Sequence, residues 1–280
     1  MSILKSISDL RNHVFGVKHS LSKIALVPTM GALHAGHIEL VRQALLRGFH
    51  VIVSIFVNPL QFAAGEDLSK YPRTFEADCI KLSEAGAHAI YLPDATEMYP
   101  PGFDLTILPS SVARVGLEDA FRPTHFQGVS TVVAKLFIQS CADYAMFGEK
   151  DYQQLKVVTH MARDLNLTTE IVPVATMREA DGLALSSRNM YLTAEDRVKA
   201  PLIYTVLHQT AQAVRNKTSI VEDELEKGAI RLRDAGFQID YFEARNAHTL
   251  AKLADCKKEP IRLLLAARLE MTRLIDNVAV

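Results

Sequence analysis

Between Ile24 and Val174 short apolar runs alternate with amphipathic stretches. Residues 24–27, 51–57, 89–92, 144–147 and 170–174 are short, mainly apolar runs that read as strands. Helical patterning lies between several of them. One helix starts close to Gly36, with Ile38, Val41 and Leu45 at helical spacing and Gly48 placed to end it. Another spans 74–85, opening on a capping Thr74 and closing at Gly86, and residues 129–138 and 152–165 are patterned as helices too. The alternation predicts an α/β fold with a Rossmann-like, doubly wound parallel sheet, whose ligands lie outside the carboxyl ends of its strands. Beyond Met177 the order changes. Two polar-faced helices, 194–215 and 219–235, precede strand-like runs at 239–244, 262–267 and 272–275, which predicts a smaller C-terminal α+β domain. The expected division is 1–176 and 177–280, with Asp181-Gly182 and residues 186–189 supplying the turn chemistry of a hinge or flap.

Composition narrows this picture only modestly. A chain of 280 residues, 49% apolar, can bury one large core or two smaller ones. A formal charge of −1 gives no general pull toward nucleic acid or an anionic membrane. Cys79, Cys141 and Cys256 stand singly, without the spacing of a metal site or a disulfide framework, so a reducing compartment is the simpler assumption. Residues 1–11 lack an apolar run behind a basic segment, and no stretch is long enough to cross a bilayer. A soluble cytoplasmic protein is expected.

The densest chemistry sits where the first of these strands turns into a helix, at Met30-Gly31-Ala32-Leu33-His34-Ala35-Gly36-His37. A helix N-terminus attracts anions through its unpaired N–H groups and dipole, and two glycines let the backbone approach. With His34 and His37 facing the bound group, this is a nucleotide triphosphate site. Zinc would need a third ligand, and no HExxH pattern or Cys pair is present. Asn58 and Gln61 follow the strand at 51–57, and their amides suit a hydroxyl or a carboxylate, although an ordinary Asn-Pro turn explains them as well. In Phe147-Gly148-Glu149-Lys150-Asp151-Tyr152-Gln153-Gln154, Lys150 can neutralise phosphate and Asp151 can cap a helix or help hold a magnesium–phosphate complex. Gln154 lies one turn on. A surface lysine and a capping aspartate account for the same residues. Leu185-Ser186-Ser187-Arg188-Asn189 joins two hydroxyls to a guanidinium fork, the chemistry of phosphate binding or of a solvated turn. Arg122 to Gly128 forms a weaker polar loop before a helix. No catalytic carboxylate pair and no GxSxG elbow is visible.

Taken together, the order and wording of these segments, with Tyr71-Pro72-Arg73, closely resemble the pantothenate synthetase family of the HxGH nucleotidylyltransferase-like group. The resemblance implies a Rossmann-type N-terminal domain holding ATP and pantoate, and a smaller C-terminal lid. It implies ATP-dependent condensation of (R)-pantoate with β-alanine through a pantoyl adenylate, giving pantothenate, AMP and pyrophosphate, with Mg2+ accompanying ATP. Carried over by position, Met30, Gly31, Ala32, Leu33, His34, Ala35, Gly36 and His37 line the ATP site. Gly148, Glu149, Lys150, Asp151, Met177, Leu185, Ser186, Ser187 and Arg188 join them. His37 is the implied proton donor, with His34 and Lys150 stabilising charge, while Gln61 and Gln154 hold pantoate with Asn58 nearby. Met177 departs from the family's more usual Val at a main-chain contact. Asp78 and Asp151 are candidate magnesium contacts, though no protein metal site is expected. A homodimer is implied, with no nucleic-acid or membrane partner. The rivals are another HxGH nucleotidyltransferase, which would need a second cationic pocket, and a non-enzymatic ATP sensor.

Overall fold

The structure, a computed structural model, describes residues 1–62, 68, 71–109, 111–216 and 220–280. Its first two elements, β1 (Ser2–Leu4) and α1 (Ile7–His19), escaped the sequence patterning. Three residues are too few to show a period, and α1 buries only Leu10 and Val14 while its Phe15 is exposed, which blurs an amphipathic pattern. A reciprocal cap starts it: Ser6 Oγ accepts from Asp9 N at 3.0 Å and Asp9 Oδ2 accepts from Ser6 N at 3.1 Å. Then follow β2 (Ile24–Thr29), α2 (Ala35–Leu46), β3 (His50–Ile55), a 3-10 turn at Pro59–Gln61, α3 (Phe75–Glu84), β4 (Ala89–Tyr91) and α4 (Ala95–Met98). Next come α5 (Glu118–Phe121), α6 (His125–Ser140), β5 (Tyr144–Gly148), a 3-10 turn at Glu149–Asp151, α7 (Tyr152–Asp164) and β6 (Glu170–Val174).

The six strands form one sheet in the order β1-β4-β3-β2-β5-β6, every pair parallel. From β2 the chain winds outward to β3 and β4, and it resumes on the other side with β5 and β6. The switch point is therefore between β2 and β5, where such sheets bind ligands. Strand residues Ala25, Val27, Val51, Val53, Ile90 and Met146 pack with Val41 and Ala44 of α2, so the nucleotide-motif helix is seated on the sheet by its apolar face. Two expectations are corrected here. Thr74 stands at the N-cap of α3, but its hydroxyl donates to Asp78 instead of accepting from the main chain. Helix α6 begins four residues before 129 and takes in the second half of the supposed polar loop.

The chain forms two compact units: Met1–Ala113 with Arg122–Glu149 and Gln154–Ala175, and Arg114–Phe121 with Lys150–Gln153 and Thr176–Val280. The second contains α8 (Ala194–Lys199), α9 (Leu202–Arg215), α10 (Val221–Asp234) and an antiparallel sheet, β7 (Gln238–Asn246), β8 (Ile261–Leu269) and β9 (Thr272–Ala279). Ile203, Leu207, Leu232, Leu263 and Leu265 form its core. The helix expected over 194–215 is two helices, because Pro201 lacks the N–H that continuation requires. Ser219, the expected start of the following helix, lies outside the described residues, and α10 is seen from Val221. A buried ion network crosses the unit: Arg273 donates to both oxygens of Glu118 at 2.7 and 2.8 Å and to Asp240 at 2.6 Å, while the Tyr241 hydroxyl donates to Glu118 at 2.8 Å.

Candidate active site

The turn from β2 into α2 is held in a conformation that side chains rarely adopt. Gly31 has φ +84° and Ala32 has φ +51°. A Cβ at residue 31 would sit 3.2 Å from Ile55 Cγ2 and 3.3 Å from Asp78 Oδ2, so strained backbone and tight packing both favour glycine. What holds the turn is Asp78 of α3. Its carboxylate, 1% exposed, accepts from Ala32 N at 2.9 Å through Oδ2 and from Leu33 N at 2.8 Å through Oδ1. Thr74 Oγ1 adds a third bond at 3.1 Å, and Lys81 Nζ donates to the Leu33 carbonyl at 2.6 Å.

The turn delivers the two imidazoles in a reciprocal arrangement. His34 is the N-cap of α2, its Nδ1 accepting from Gly36 N at 3.1 Å, and His37 Nδ1 accepts from His34 N at 3.3 Å. The ring centroids are 4.1 Å apart. A ring nitrogen that accepts carries no hydrogen, so in both neutral rings the hydrogen is on Nε2. The pair thus places two Nε2–H groups at a helix N-terminus, where the helix dipole favours an anion.

Gln61, expected at the carboxyl end of β3, is 8% exposed and reaches the same turn, its Nε2 donating to Met30 Sδ at 2.8 Å. Asn58, 1% exposed, acts through it. Its Nδ2 donates to Gln61 Oε1 at 3.3 Å and to the Gly128 carbonyl at 3.1 Å, and its Oδ1 accepts from Leu60 N and from the Tyr99 hydroxyl at 2.8 Å. Both donors and both lone pairs of the amide are thereby used. Burial pushes the Tyr99 phenol well above its ordinary value, so that hydroxyl stays a donor. His125 Nδ1 and Arg122 Nη2 brace the Gln61 carbonyl at 3.2 and 3.4 Å. A Cβ on Gly128 would fall 2.2 Å from the Leu60 carbonyl oxygen, so α6 can pack here only with glycine at that position. Gln154, partly exposed on α7, belongs to the same unit as Gln61.

Lys150 and the serine loop belong to the second unit. The Lys150 ammonium is 3.8 Å from Asp151 Oδ2, and its main-chain carbonyl accepts from Asn277 Nδ2 at 2.8 Å. Main-chain bonds from Leu185 N to Met177 O and from Glu179 N to Leu183 O make residues 177–185 a small hairpin around Asp181-Gly182. Ser186 then caps the 3-10 turn Ser187–Tyr191, its hydroxyl accepting from Arg188 N at 3.2 Å. Asn189 Nδ2 ties the turn to Glu179 and to the Ala184 carbonyl. The expected flap is therefore a hydrogen-bonded hairpin with a capped turn.

Residues 2–279 match the family model described as pantoate-beta-alanine ligase. A pantothenate synthetase of Nitrobacter hamburgensis is 52% identical over 279 residues, covering 100% of this chain and 98% of the relative. The chain belongs to the pantoate–β-alanine ligase family. Among solved structures, pantothenate synthetase from Thermus thermophilus superposes with TM-score 0.92 at 42% identity, covering 99% of each chain. Pantoate-β-alanine ligase from Francisella tularensis, complexed with β-γ ATP and β-alanine, gives TM-score 0.83 at 34% identity, covering 100% of this chain and 97% of that one. These ligases share the parallel sheet and smaller antiparallel sheet described above.

Asp78 is the residue in this ligase whose role the sequence did not disclose. Two main-chain amides and a hydroxyl donate to its carboxylate, so it shapes the turn directly. Among the described residues no group of three or more His, Cys, Asp or Glu side chains is placed to hold a metal ion.

Proposed function

We propose that this chain joins (R)-pantoate to β-alanine at the expense of ATP, releasing AMP and pyrophosphate. The observation that carries the reading is the pair of mutually capped imidazoles on a turn clamped by Asp78. That arrangement offers two fixed Nε2–H donors to phosphate oxygens. In the first step a pantoate carboxylate oxygen attacks the α-phosphorus and the bond to the β-phosphate oxygen breaks, so pyrophosphate leaves. In the second the β-alanine nitrogen attacks the acyl carbon, the bond to the AMP oxygen breaks, and the amine gives up a proton. Phosphoryl transfer of this kind depends on positioning and charge stabilisation, not on a protein nucleophile.

In this assignment His37 and His34 stabilise charge on the phosphates, with residues 30–37 cradling the nucleotide. Lys150, Ser186, Ser187 and Arg188 gather phosphate oxygens, and the main chain at Gly148, Glu149, Asp151, Met177 and Leu185 completes the ATP contacts. Magnesium bound to the triphosphate would neutralise part of its charge. Gln61 and Gln154 take the pantoate hydroxyl and carboxylate, with Asn58 fixing Gln61. No described helix is long and apolar enough to cross a membrane. With three unpaired cysteines a reducing cytoplasm suits the protein, and we assign it a homodimeric state, to be checked by sizing at several concentrations.

The test is pyrophosphate–ATP exchange with purified protein, magnesium and (R)-pantoate, without β-alanine. Exchange that requires pantoate is expected. ATP binding without exchange would favour a nucleotide sensor, and exchange driven by a phosphate-bearing acceptor instead would favour a nucleotidyltransferase.

A further inference from the structure

Strand β9 breaks its own pattern near its end. From Thr272 to Asp276 buried and half-buried positions alternate, as expected of a strand with one covered face, but Asn277 is buried as well. Asp276 is 4% exposed and Asn277 3%, so two polar side chains are withdrawn from water side by side. Burial at this level is costly without partners, and each side chain has specific ones.

Asp276 grips Arg178 through both oxygens, Oδ2 to Nη1 at 2.6 Å and Oδ1 to Nη2 at 2.9 Å. The same guanidinium donates to the Gly182 carbonyl at 3.1 Å and lies 3.8 Å over the Tyr204 ring. Arg178 is thereby fixed to the turn of the hairpin that runs directly into Ser186. Asn277 faces elsewhere. Its Nδ2 donates to the Lys150 carbonyl at 2.8 Å, while its Oδ1 accepts from Arg262 Nε at 2.6 Å, and Arg262 stacks 4.1 Å over the ring of Tyr152. Asp276 Oδ1 also accepts from Asn277 N at 2.7 Å, coupling the two.

We infer that Asp276 and Asn277 are positioning residues for adenylation: one dipeptide of β9 sets both the main chain of Lys150 and the hairpin carrying Ser186, Ser187 and Arg188. The inference rests on the proposed phosphate roles of Lys150 and that loop. Neither residue belongs to any motif by which the nucleotide site is recognised, and Arg178 and Lys150, the residues they hold, lie 98 and 127 positions away in the chain. One rigid strand thus keeps two phosphate-gathering segments in fixed register.

The experiment compares Asn277→Ala, Asn277→Asp and Asp276→Asn with Lys150→Met, in the full-length protein, by pantoate-dependent pyrophosphate exchange and thermal melting. Asn277→Asp retains an acceptor for Arg262 but turns an oxygen against the Lys150 carbonyl, so it keeps the fold while losing the contact of interest. The folded variants are expected to raise the ATP KM or slow exchange by up to about a hundredfold, the cost of a small misplacement of reacting groups, with the pantoate KM little changed. Combining Asn277→Ala with Lys150→Met should lose little beyond Lys150→Met alone. Losses that multiply, a melting-point drop with wild-type ATP KM and rate, or failure of both Asn277 variants to fold would each overturn the inference. If Lys150→Met itself exchanges at full rate, the phosphate reading of Lys150 fails first. If it is impaired while folded Asn277 variants behave as wild type, that reading stands and only the positioning role falls.

Discussion

Replacing Asp78 by Asn isolates the clamp beneath the nucleotide turn. The amide keeps the volume and one acceptor oxygen, but it presents an NH2 where the second carboxylate oxygen met a main-chain N–H. Either Ala32 N or Leu33 N, bonded at 2.9 and 2.8 Å in the native protein, is then left unpaired in a buried site. Such a loss costs roughly 1–3 kcal/mol. The strain released if Ala32 leaves the left-handed region, φ +51°, is about 1–2 kcal/mol. Because the two are comparable, the native turn is no longer strongly preferred in the variant. Relaxation of residues 31–33 moves His34, the N-cap, and with it the imidazole that His37 caps. The expected result is a melting temperature lower by several degrees and pyrophosphate exchange slowed about ten- to a hundredfold, short of deleting a charge-stabilising donor outright. Lys81, which holds the Leu33 carbonyl from the same helix, should prevent complete collapse of the turn. A well-folded Asp78→Asn protein that exchanges at the wild-type rate would refute the clamp.

Other expectations follow from separate features. His37→Ala removes a donor worth roughly 2.7–4 kcal/mol of transition-state stabilisation, so single-turnover adenylation should fall about a hundred- to thousandfold, and a near-normal rate would take the residue out of the mechanism. Gly128→Ala drives a Cβ into the Leu60 carbonyl oxygen and must displace α6 or the Asn58 turn; a marked fall in melting temperature with a raised pantoate KM is expected, and an unchanged pantoate KM would show that the turn does not transmit the shift. At the other end of the sheet His13 Nε2 lies 2.9 Å from His50 Nε2, and His50 stacks on His88 at 4.2 Å. Burial, with the neighbouring His88 and His13, holds His50 down to about 4. An unfolded chain therefore takes up a proton near pH 6.5 that the folded chain refuses, and stability should decline as pH falls from about 6.5 toward 4. His50→Asn should flatten that decline in melting temperature, and an equal slope in both proteins would exclude His50 as its cause.

Much of the sheet was legible because its central strands, β2, β3 and β4, are buried on both faces and so read as mainly apolar runs. The start of α2 was legible within a residue, since a glycine-flanked histidine pair before Ile38, Val41 and Leu45 announces a helix entrance. That His34 itself is the cap was not, because imidazole is an uncommon capping acceptor. Asp78 was invisible as a clamp: the partners of its carboxylate lie 45 and 46 residues away, and nothing local separates a buried anchor from a surface acid in the first turn of a helix. The early start of α6 was hidden by the polar look of Thr124-His125-Phe126-Gln127-Gly128, whose His125 serves the Gln61 turn and whose glycine serves packing. The break at Pro201 was readable from proline alone, but the amphipathic pattern continues across it.

Glu118 and Arg273, partners in the buried network of the second unit, are 155 residues apart. At about 5–20 residues per second of synthesis, Glu118 emerges roughly 8–30 s before its partner exists. During that interval a carboxylate destined for burial has no counter-charge, and the segment carrying it must stay solvated while the six-stranded sheet can already close. The last strand made is thus the one that lets the second unit finish. A ribosome paused before β9 would hold a chain whose parallel sheet is complete and whose anchors for Lys150 and the serine loop are still unbuilt.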